Sequence, residues 1–145
     1  MFRGRSKHTL DEKGRLAVPA RFKEVLNTKG DKCLVLTNYD NCLWAFASDD
    51  WRVIEEKIAA LPLFDPAVNN IRRYFVSGAQ ECPLKQGRIT IPPDLRDRAE
   101  LKKEVVVIGE LKVFEIWDRE KWEEEFERAK KNFPEASQSL SELGI

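Results

Sequence analysis

The second half of this chain repeats the first half. Residues 14–19 read Gly-Arg-Leu-Ala-Val-Pro and residues 87–92 read Gly-Arg-Ile-Thr-Ile-Pro, 73 positions further along a chain of 145 residues. The likeness continues past each proline into a short helical pattern and then into two strands. Like modules in one chain tend to pack together, because neither buries its apolar face alone. The repeat therefore predicts two small modules that pair about an internal pseudo-two-fold axis.

Both halves predict the same order of elements, which is a β-hairpin, a short helix, two strands and a closing helix. One further helix is predicted between the halves, because Asp65 is a suitable N-cap and Pro66 suits a first helical turn. The fold class that we expect is α+β and β-rich. We assign residues 1–62 to an N-terminal module, 63–78 to the connecting helix, 79–132 to a C-terminal module and 133–145 to a tail.

The polar segment that opens the first repeat, Asp-Glu-Lys-Gly-Arg, predicts the turn of a β-hairpin, with Gly14 free to adopt a positive φ. Side chains alternate between the two faces of the strand that follows. If Leu16 and Val18 enter the core, Arg15 must face solvent. The same alternation places Arg88 in solvent in the second half. The sequence thus predicts one exposed arginine beside each turn.

An arginine fixed on a short hairpin is well suited to reading DNA. Its guanidinium can donate two hydrogen bonds to guanine O6 and N7 or grip a phosphate, and a two-stranded ribbon fits the major groove. Asp11 can fold onto the turn backbone and orient Arg15, although a surface ion pair that only braces the turn, worth roughly 0–1 kcal/mol, is the alternative. The residues that we expect to contact double-stranded DNA are Arg3, Arg5, Lys7, Lys13, Arg15, Lys85 and Arg88, and those that we expect to shape the turns are Asp11, Gly14 and Gly87.

Charge is distributed unevenly although the chain is formally neutral. Residues 1–32 carry nine Lys/Arg and four Asp/Glu, whereas residues 104–145 carry six Lys/Arg and eleven Asp/Glu. The basic N-terminal segment favours a surface that faces phosphate. The acidic C-terminal segment is typical of a solvated helix or of a face turned to another protomer.

Several other classes of protein are disfavoured by the sequence. No apolar run approaches the ~20 residues that span a bilayer, and no signal peptide is visible, so we expect a cytoplasmic protein associated with the nucleoid. The three cysteines are widely spaced and His8 is the only histidine, which argues against a metal site. No phosphate-binding glycine loop or nucleophile motif occurs. We therefore predict no enzymatic activity, no cofactor and no small-molecule substrate.

These motifs resemble those of the MraZ family, bacterial regulators of the division and cell-wall gene cluster. The resemblance covers about residues 1–130 and rests on Met1-Phe2-Arg3-Gly4, Asp11-Glu12-Lys13-Gly14-Arg15, Ser77-Gly78-Ala79-Gln80-Glu81-Cys82, Gln86-Gly87-Arg88 with Pro92, and Glu115-Ile116-Trp117 with Trp122. It implies two AbrB-like swapped-hairpin modules in one chain. It also implies ring-like homo-oligomers that bind short direct repeats upstream of their own operon and usually repress it. The Asp-x-x-x-Arg signature of the family falls on Asp11 and Arg15.

The second half departs from this pattern. Leu84, not an acid, stands four residues before Arg88, and the segment before Gly87 is one residue shorter than its usual counterpart. We therefore expect a tighter or differently shaped second turn. Arg15 is the stronger candidate for a DNA contact.

An AbrB-like antitoxin or another protein-interaction module is the alternative function, because one fold supports several functions. An antitoxin needs a toxin-neutralising tail, which is usually disordered and acidic. Here the acidic segment predicts a helix up to about Lys131, and only the last residues are left for such a tail. The DNA-binding interpretation is therefore preferred.

Overall fold

The computed structural model describes residues 1–145, and both halves contain the predicted order of elements. The first half contains β1 (Arg5–Thr9), β2 (Arg15–Ala17), α1 (Ala20–Thr28), β3 (Cys33–Tyr39), β4 (Cys42–Ala47) and α2 (Ser48–Ala59). The connecting segment contains α3 (Pro66–Asn70) and a π-helical turn (Ile71–Val76). The second half contains β5 (Gln80–Pro83), β6 (Arg88–Thr90), α4 (Pro93–Arg98), β7 (Glu104–Glu110), β8 (Val113–Asp118) and α5 (Arg119–Glu142).

Strands are exchanged between the two halves. The main sheet has six strands in the order β1-β7-β8-β4-β3-β5, and every neighbouring pair is antiparallel. Strand β1 of the first half pairs with β7 of the second, and β5 of the second half pairs with β3 of the first. Exchanging the two halves gives the same strand order read backwards. The expected swapped hairpins and internal pseudo-two-fold axis are therefore confirmed.

The axis passes through two central strand pairs. In the main sheet β4 lies beside β8, with Leu43 opposite Ile116. In a separate two-stranded sheet β2 lies beside β6, with Leu16 opposite Ile89. All four side chains are buried in one core, which helices α1 and α4 help to close. One shared core therefore joins the two modules.

The strand parity predicted from the sequence is confirmed. The inward-facing side chains that follow the two turns are at most 3% exposed, and they are Leu16, Val18, Ile89 and Ile91. The intervening side chain of Arg15 is 40% exposed, and Arg88 is exposed as well. Burial of the aliphatic residues thus fixes where the arginines point.

The opposite face of the main sheet carries α2 over the first half and α5 over the second. Trp51 of α2 packs on Phe46, with ring centroids 5.3 Å apart, and Trp122 of α5 packs on Trp117 at 5.9 Å. These aromatic contacts fasten the outer helices to the sheet, since each large ring removes much apolar surface from water.

The connecting segment is helical without a break from Pro66 to Val76, with α-helical hydrogen bonding to Asn70 and π-helical hydrogen bonding from Ile71. Asp65 caps α3 as predicted, by accepting a backbone hydrogen bond of 2.8 Å. The chain then widens into the π-helical turn, where Thr37 and Asn38 of β3 donate side-chain hydrogen bonds of 2.5 Å to the carbonyl groups of Phe75 and Tyr74. Side chains of the first half therefore hold the connecting segment against β3.

Helix α5 continues to Glu142, past the tail boundary predicted at residue 132. Its apolar residues recur at helical spacing through Phe133 and Leu140. Pro134 lies inside the helix, where it removes one backbone hydrogen bond. Water can satisfy the freed carbonyl group, because this part of α5 is exposed. Most of the segment predicted as a tail is therefore helical.

Candidate nucleic-acid interface

The first turn, between β1 and β2, is a three-residue loop that ends in Gly14. The N–H of Gly14 donates to the carbonyl of Asp11 at 3.0 Å, and the N–H of Asp11 donates to the carbonyl of Arg15 at 3.4 Å. Gly14 has φ +76°, a conformation that glycine adopts without steric cost. This loop type places a left-handed residue directly before the returning strand. Arg15 is thereby set at the first position of β2.

The carboxylate of Asp11 organises this turn. Its Oδ1 accepts hydrogen bonds from the N–H groups of Lys13 (3.0 Å) and Arg15 (2.9 Å), and its Oδ2 accepts one from Arg15 Nε. The backbone hydrogen bond from Arg15 is the main cause that lowers the pKa of Asp11, and the guanidinium adds to the effect. The carboxylate is therefore ionised at neutral pH and holds the Arg15 side chain in one orientation.

Arg15 keeps most of its hydrogen-bonding capacity free. Its Nε is occupied by Asp11, and no other acid pairs with its guanidinium. The two terminal nitrogens make no hydrogen bond within the protein, and the side chain is 40% exposed. A guanidinium held on one edge and free on the other can bind a planar acceptor pair such as guanine O6 and N7, or a phosphate.

The second turn, between β5 and β6, has a different and tighter geometry, as the sequence predicted. The backbone groups of Lys85 and Arg88 exchange two hydrogen bonds, of 2.8 and 3.0 Å. The two residues between them, Gln86 and Gly87, have φ of 52° and 75°, which is typical of a two-residue type I′ turn. Leu84 packs against the core at the place where the first half has Leu10, so no acid occupies the position from which Asp11 orients Arg15.

The two turns present their cations on one side of the molecule. Arg15 lies opposite Thr90, and Arg88 lies opposite Ala17, two positions further along the same ladder. Diagonal neighbours of this kind have Cα atoms roughly 7–8 Å apart and share one face. A groove of about 620 Å³ lies here, and its charged lining residues are Lys13, Arg15, Glu81, Lys85 and Arg88. We call the four cations, Lys13, Arg15, Lys85 and Arg88, the basic turn face.

Two further cations belong to the turns although the sequence analysis did not single them out. Arg96 of α4 lies against Gly14, since a Cβ atom at Gly14 would come within 2.6 Å of its guanidinium. Lys23 of α1 lies against Gly87 in the same way, with Nζ 2.9 Å from such a Cβ. Arg96 Nε is buried without a hydrogen-bond partner. The repeat offset of 73 aligns Lys23 with Arg96, and that signal could have revealed the pair.

The predicted basic arm lies apart from the basic turn face. The Arg5 guanidinium sits 4.8 Å from the ring centroid of Phe126 on α5, and Lys7 lines the same shallow groove beside α5. Arg3 precedes β1, at the end of this strand farthest from the first turn. His8 hydrogen-bonds to Ser6 at 2.7 Å, and burial lowers its pKa. The structure therefore does not bring Arg3, Arg5 or Lys7 together with the turn cations.

Two other kinds of site have no counterpart in the structure. No three His, Cys, Asp or Glu side chains converge in a way that could hold a metal ion. None of the helices combines the length and the apolar character that crossing a membrane requires.

A duplicated chain with exchanged hairpins and two turns on one face defines the tandem AbrB-like class of proteins. The family model described as "MraZ protein, putative antitoxin-like" matches residues 1–74 and again residues 75–142. The chain belongs to the MraZ family. Relatives named transcriptional regulator MraZ occur in Natranaerobius thermophilus (42% identical), Desulfitobacterium hafniense strain Y51 (43%) and Ligilactobacillus salivarius (40%), each aligned over 146 residues that cover all of both chains.

Proposed function

We propose that this chain is a sequence-specific regulator of transcription that binds double-stranded DNA through the basic turn face. The observation that carries the proposal is the convergence of Lys13, Arg15, Lys85 and Arg88 on one groove that contains a single acid, Glu81. A positively charged ribbon of this kind is complementary to the phosphate-lined major groove.

The two turns have different tasks in this proposal. Arg15 reads a base, because Asp11 orients its guanidinium before DNA arrives and so reduces the entropy lost on binding, roughly 0.5–1.5 kcal/mol for a long side chain. Arg88 has no acid partner and grips a phosphate. Lys13 and Lys85 flank the groove and neutralise phosphates on either side. The first turn thus recognises a base, and the second turn fixes the position of the protein along the duplex.

Self-association completes the proposed function. A ring of identical copies presents the basic turn face repeatedly in one orientation, which suits short direct repeats upstream of the chain's own division and cell-wall operon. Each further contact is intramolecular once the first has formed, so weak single contacts add up to tight binding. Occupation of that region represses transcription. The protein acts in the cytoplasm at the nucleoid and catalyses no reaction.

The description of the family as antitoxin-like supports a second candidate, a protein that neutralises a toxin through its C-terminal segment. That activity usually requires a disordered tail, whereas α5 extends to Glu142 here. Transcriptional regulation is therefore the function that the geometry supports best. Co-purification of the chain with a small partner protein in equal amounts would favour the antitoxin.

The proposal is tested by binding to a duplex that carries the chain's own upstream region, measured by fluorescence anisotropy. A duplex of the same length and composition with a scrambled sequence is the control, at the same salt concentration. We expect a preference of about a thousandfold or more for the natural sequence. Equal affinity for the two duplexes would overturn the proposal.

A further inference from the structure

An apolar cavity lies on the outer face of the main sheet, over the first half of the chain only. It has a volume of about 900 Å³ and runs between α2 and the π-helical turn, over β3 and β4. We call this cavity the outer groove. The strands equivalent to β3 and β4 begin 71 positions later, and there Glu110, Glu115 and Glu125 stand in place of the groove residues Tyr39, Trp44 and Ile54. The duplicated modules therefore share the sheet but not this groove.

Four aromatic side chains line the outer groove, and they are Tyr39, Trp44, Tyr74 and Phe75. The ring of Tyr39 stacks on that of Trp44, with centroids 3.7 Å apart. The ring of Phe75 stands almost perpendicular to both, at 82° and 89°. Tyr39 and Tyr74 are 43% and 48% exposed, so aromatic surface is open to a ligand.

The one charged residue that lines the outer groove is an acid, Asp40. Its carboxylate takes part in none of the ion pairs of the protein. The hydroxyl of Tyr74 donates to the Asp40 carbonyl at 2.8 Å, which places the acid beside this ring. Burial and then the charge of Asp40 raise the pKa of Tyr74; Arg98, which acts in the opposite direction, is already paired with Asp94 at 3.5 Å. Asp40 is therefore an acid without a counter-ion at an aromatic surface.

A second acid adds negative charge behind the aromatic lining. Glu115 of β8 is buried, and it accepts a hydrogen bond of 2.7 Å from the indole N–H of Trp44. A carboxylate at the N–H edge of an indole polarises the ring, so that its face attracts a cation more strongly. None of the residues that line the groove is Lys, Arg or His. The groove thus combines aromatic faces with negative charge.

We propose that the outer groove binds a small organic cation, a protonated amine that carries an apolar body. The ammonium group lies beside Asp40 and the exposed tyrosine rings, where the carboxylate and the ring quadrupoles both attract it. The apolar body packs against Ile54 and Ile58 of α2, which line the same groove. This inference goes beyond the proposed function and requires neither DNA recognition nor self-association.

Charge and size select this class of ligand. An anion would be repelled by Asp40, and a neutral apolar molecule would leave that carboxylate without a partner. The cavity volume lies within the range of roughly 300–1,000 Å³ that is typical of small-molecule sites, which are mostly apolar with a few polar groups that orient the ligand. A cationic head on an apolar body satisfies both parts of the lining.

Three probes of similar size and different charge test the inference. They are 2-phenylethylamine, which is protonated at about pH 7, 2-phenylethanol, which is neutral, and phenylacetate, which is an anion. Their affinities for the full chain without DNA are measured by saturation-transfer NMR, which suits weak ligands and large assemblies. We expect the amine to bind about tenfold more tightly than the alcohol, and phenylacetate to bind least.

Two variants locate the binding site. Asp40→Asn removes the charge at nearly constant size, and asparagine also tolerates the left-handed backbone at this position, φ +54°. Tyr39→Leu replaces an exposed ring with an aliphatic side chain. Each variant should abolish most of the preference for the amine over the alcohol. Asp49→Asn, an exposed acid of α2 outside the groove, is the matched control and should keep it, and circular dichroism verifies the fold of all three variants.

Equal affinity of the wild-type protein for the amine and the alcohol would overturn the inference. A preference for the amine that survives in both Asp40→Asn and Tyr39→Leu would also overturn it, because the amine would then bind elsewhere. If none of the three probes binds, the groove is closed in the protein as it exists in solution, and the inference is wrong.

Discussion

Arg96 of the second half lies against Gly14 of the first, so that the turn carrying Arg15 rests on a helix from the other module. A Cβ atom at Gly14 would come within 2.6 Å of the Arg96 guanidinium, and Gly14 also has φ +76°. Lys23 and Gly87 repeat the contact in the opposite direction. Each of the two turns is therefore shaped by both halves of the chain, and separating the modules would deform both turns.

Gly14→Ala should destabilise the protein more than Gly30→Ala does. Both positions have a left-handed backbone, but a Cβ at Gly30 meets no atom within 4 Å, so only backbone strain of about 1–2 kcal/mol applies there. At Gly14 the clash with Arg96 adds to that strain. The free energy of unfolding in urea measures the difference, and the double variant with Arg96→Ala should recover part of it. Equal losses at the two glycines would contradict the packing of Arg96 on the turn.

Arg15→Ala should weaken binding to the upstream duplex and reduce its preference over the scrambled duplex. Loss of a bidentate contact to a base costs about 1–3 kcal/mol of discrimination per site. Arg15→Lys should restore affinity only in part, because an ammonium lacks the planar fork. Arg52→Ala, an exposed arginine on α2 that pairs with Asp49, is the matched control and should bind as wild type does. Unchanged discrimination in Arg15→Ala would remove the base-reading role.

Lys13→Ala and Arg88→Ala should lower affinity for both duplexes by similar factors. Each phosphate contact that is lost should reduce the slope of log K against log salt by about 0.9. Lys57→Ala on α2 provides the control for a change of charge away from the basic turn face. A slope equal to that of wild type would show that neither residue contacts phosphate.

Asp11 should contribute stability that disappears in acid. Its pKa is lowered in the folded state, chiefly by the backbone hydrogen bond from Arg15, relative to the ordinary value of 3.8. The contribution is therefore fully present above the unfolded pKa and is lost as the pH falls from 3.8 through the lower folded value. Wild type should exceed Asp11→Asn in unfolding free energy at pH 7, and the gap should narrow in acid. A gap that stays constant with pH would mean that ionisation of Asp11 does not stabilise the turn.

Glu110 should have the opposite dependence. Partial desolvation of this largely exposed side chain, together with repulsion from Glu115, raises its pKa to about 7 from 4.5. Glu115 is itself buried and accepts hydrogen bonds from the indole N–H groups of Trp44 (2.7 Å) and Trp117 (2.8 Å). The folded protein therefore favours neutral Glu110, and stability is lost as the pH rises from 4.5 through 7.

Glu110→Gln should match wild type at acidic pH and exceed it in unfolding free energy at pH 8. Glu124→Gln, on the exposed side of α5, should show no such crossover. Thermal unfolding at a series of pH values measures both variants. A Glu110→Gln variant less stable than wild type at pH 8 would be inconsistent with a penalty for the ionised carboxylate.

Much of the fold follows from two features of the sequence. The repeat predicts paired modules, and the alternation around Leu16 and Ile89 predicts which side chains face solvent. The sequence also predicts the tighter second turn. The segment before Gly87 is one residue shorter than its usual counterpart, and Leu84, which stands where an acid was expected, packs on the core. These features are local, so periodicity and turn chemistry are sufficient to predict them.

Contacts between the halves are harder to predict from the sequence. Lys23 and Arg96 appear as ordinary helix-surface residues until the folded chain places each beside a glycine of the other module. Arg5 and Lys7 belong to a basic segment, but strand β1 turns both toward α5 and away from the turns. The helical prediction ended near Lys131 because the pattern beyond it is weak, whereas α5 continues to Glu142 and tolerates Pro134 in an exposed position. For the turn contacts and the basic segment, tertiary placement decided the outcome and not local preference.

Because the two turns differ, the two ends of the β2-β6 ladder are not equivalent, as they would be if the two halves of the chain were identical. One end of the β2-β6 ladder holds an arginine with a carboxylate partner, and the other end holds an arginine without one. If one end recognises a base and the other contacts only the sugar-phosphate backbone, each protomer binds the duplex in one defined direction. Inverting the target sequence would then present the wrong base to Arg15, so orientation itself becomes part of the recognised signal.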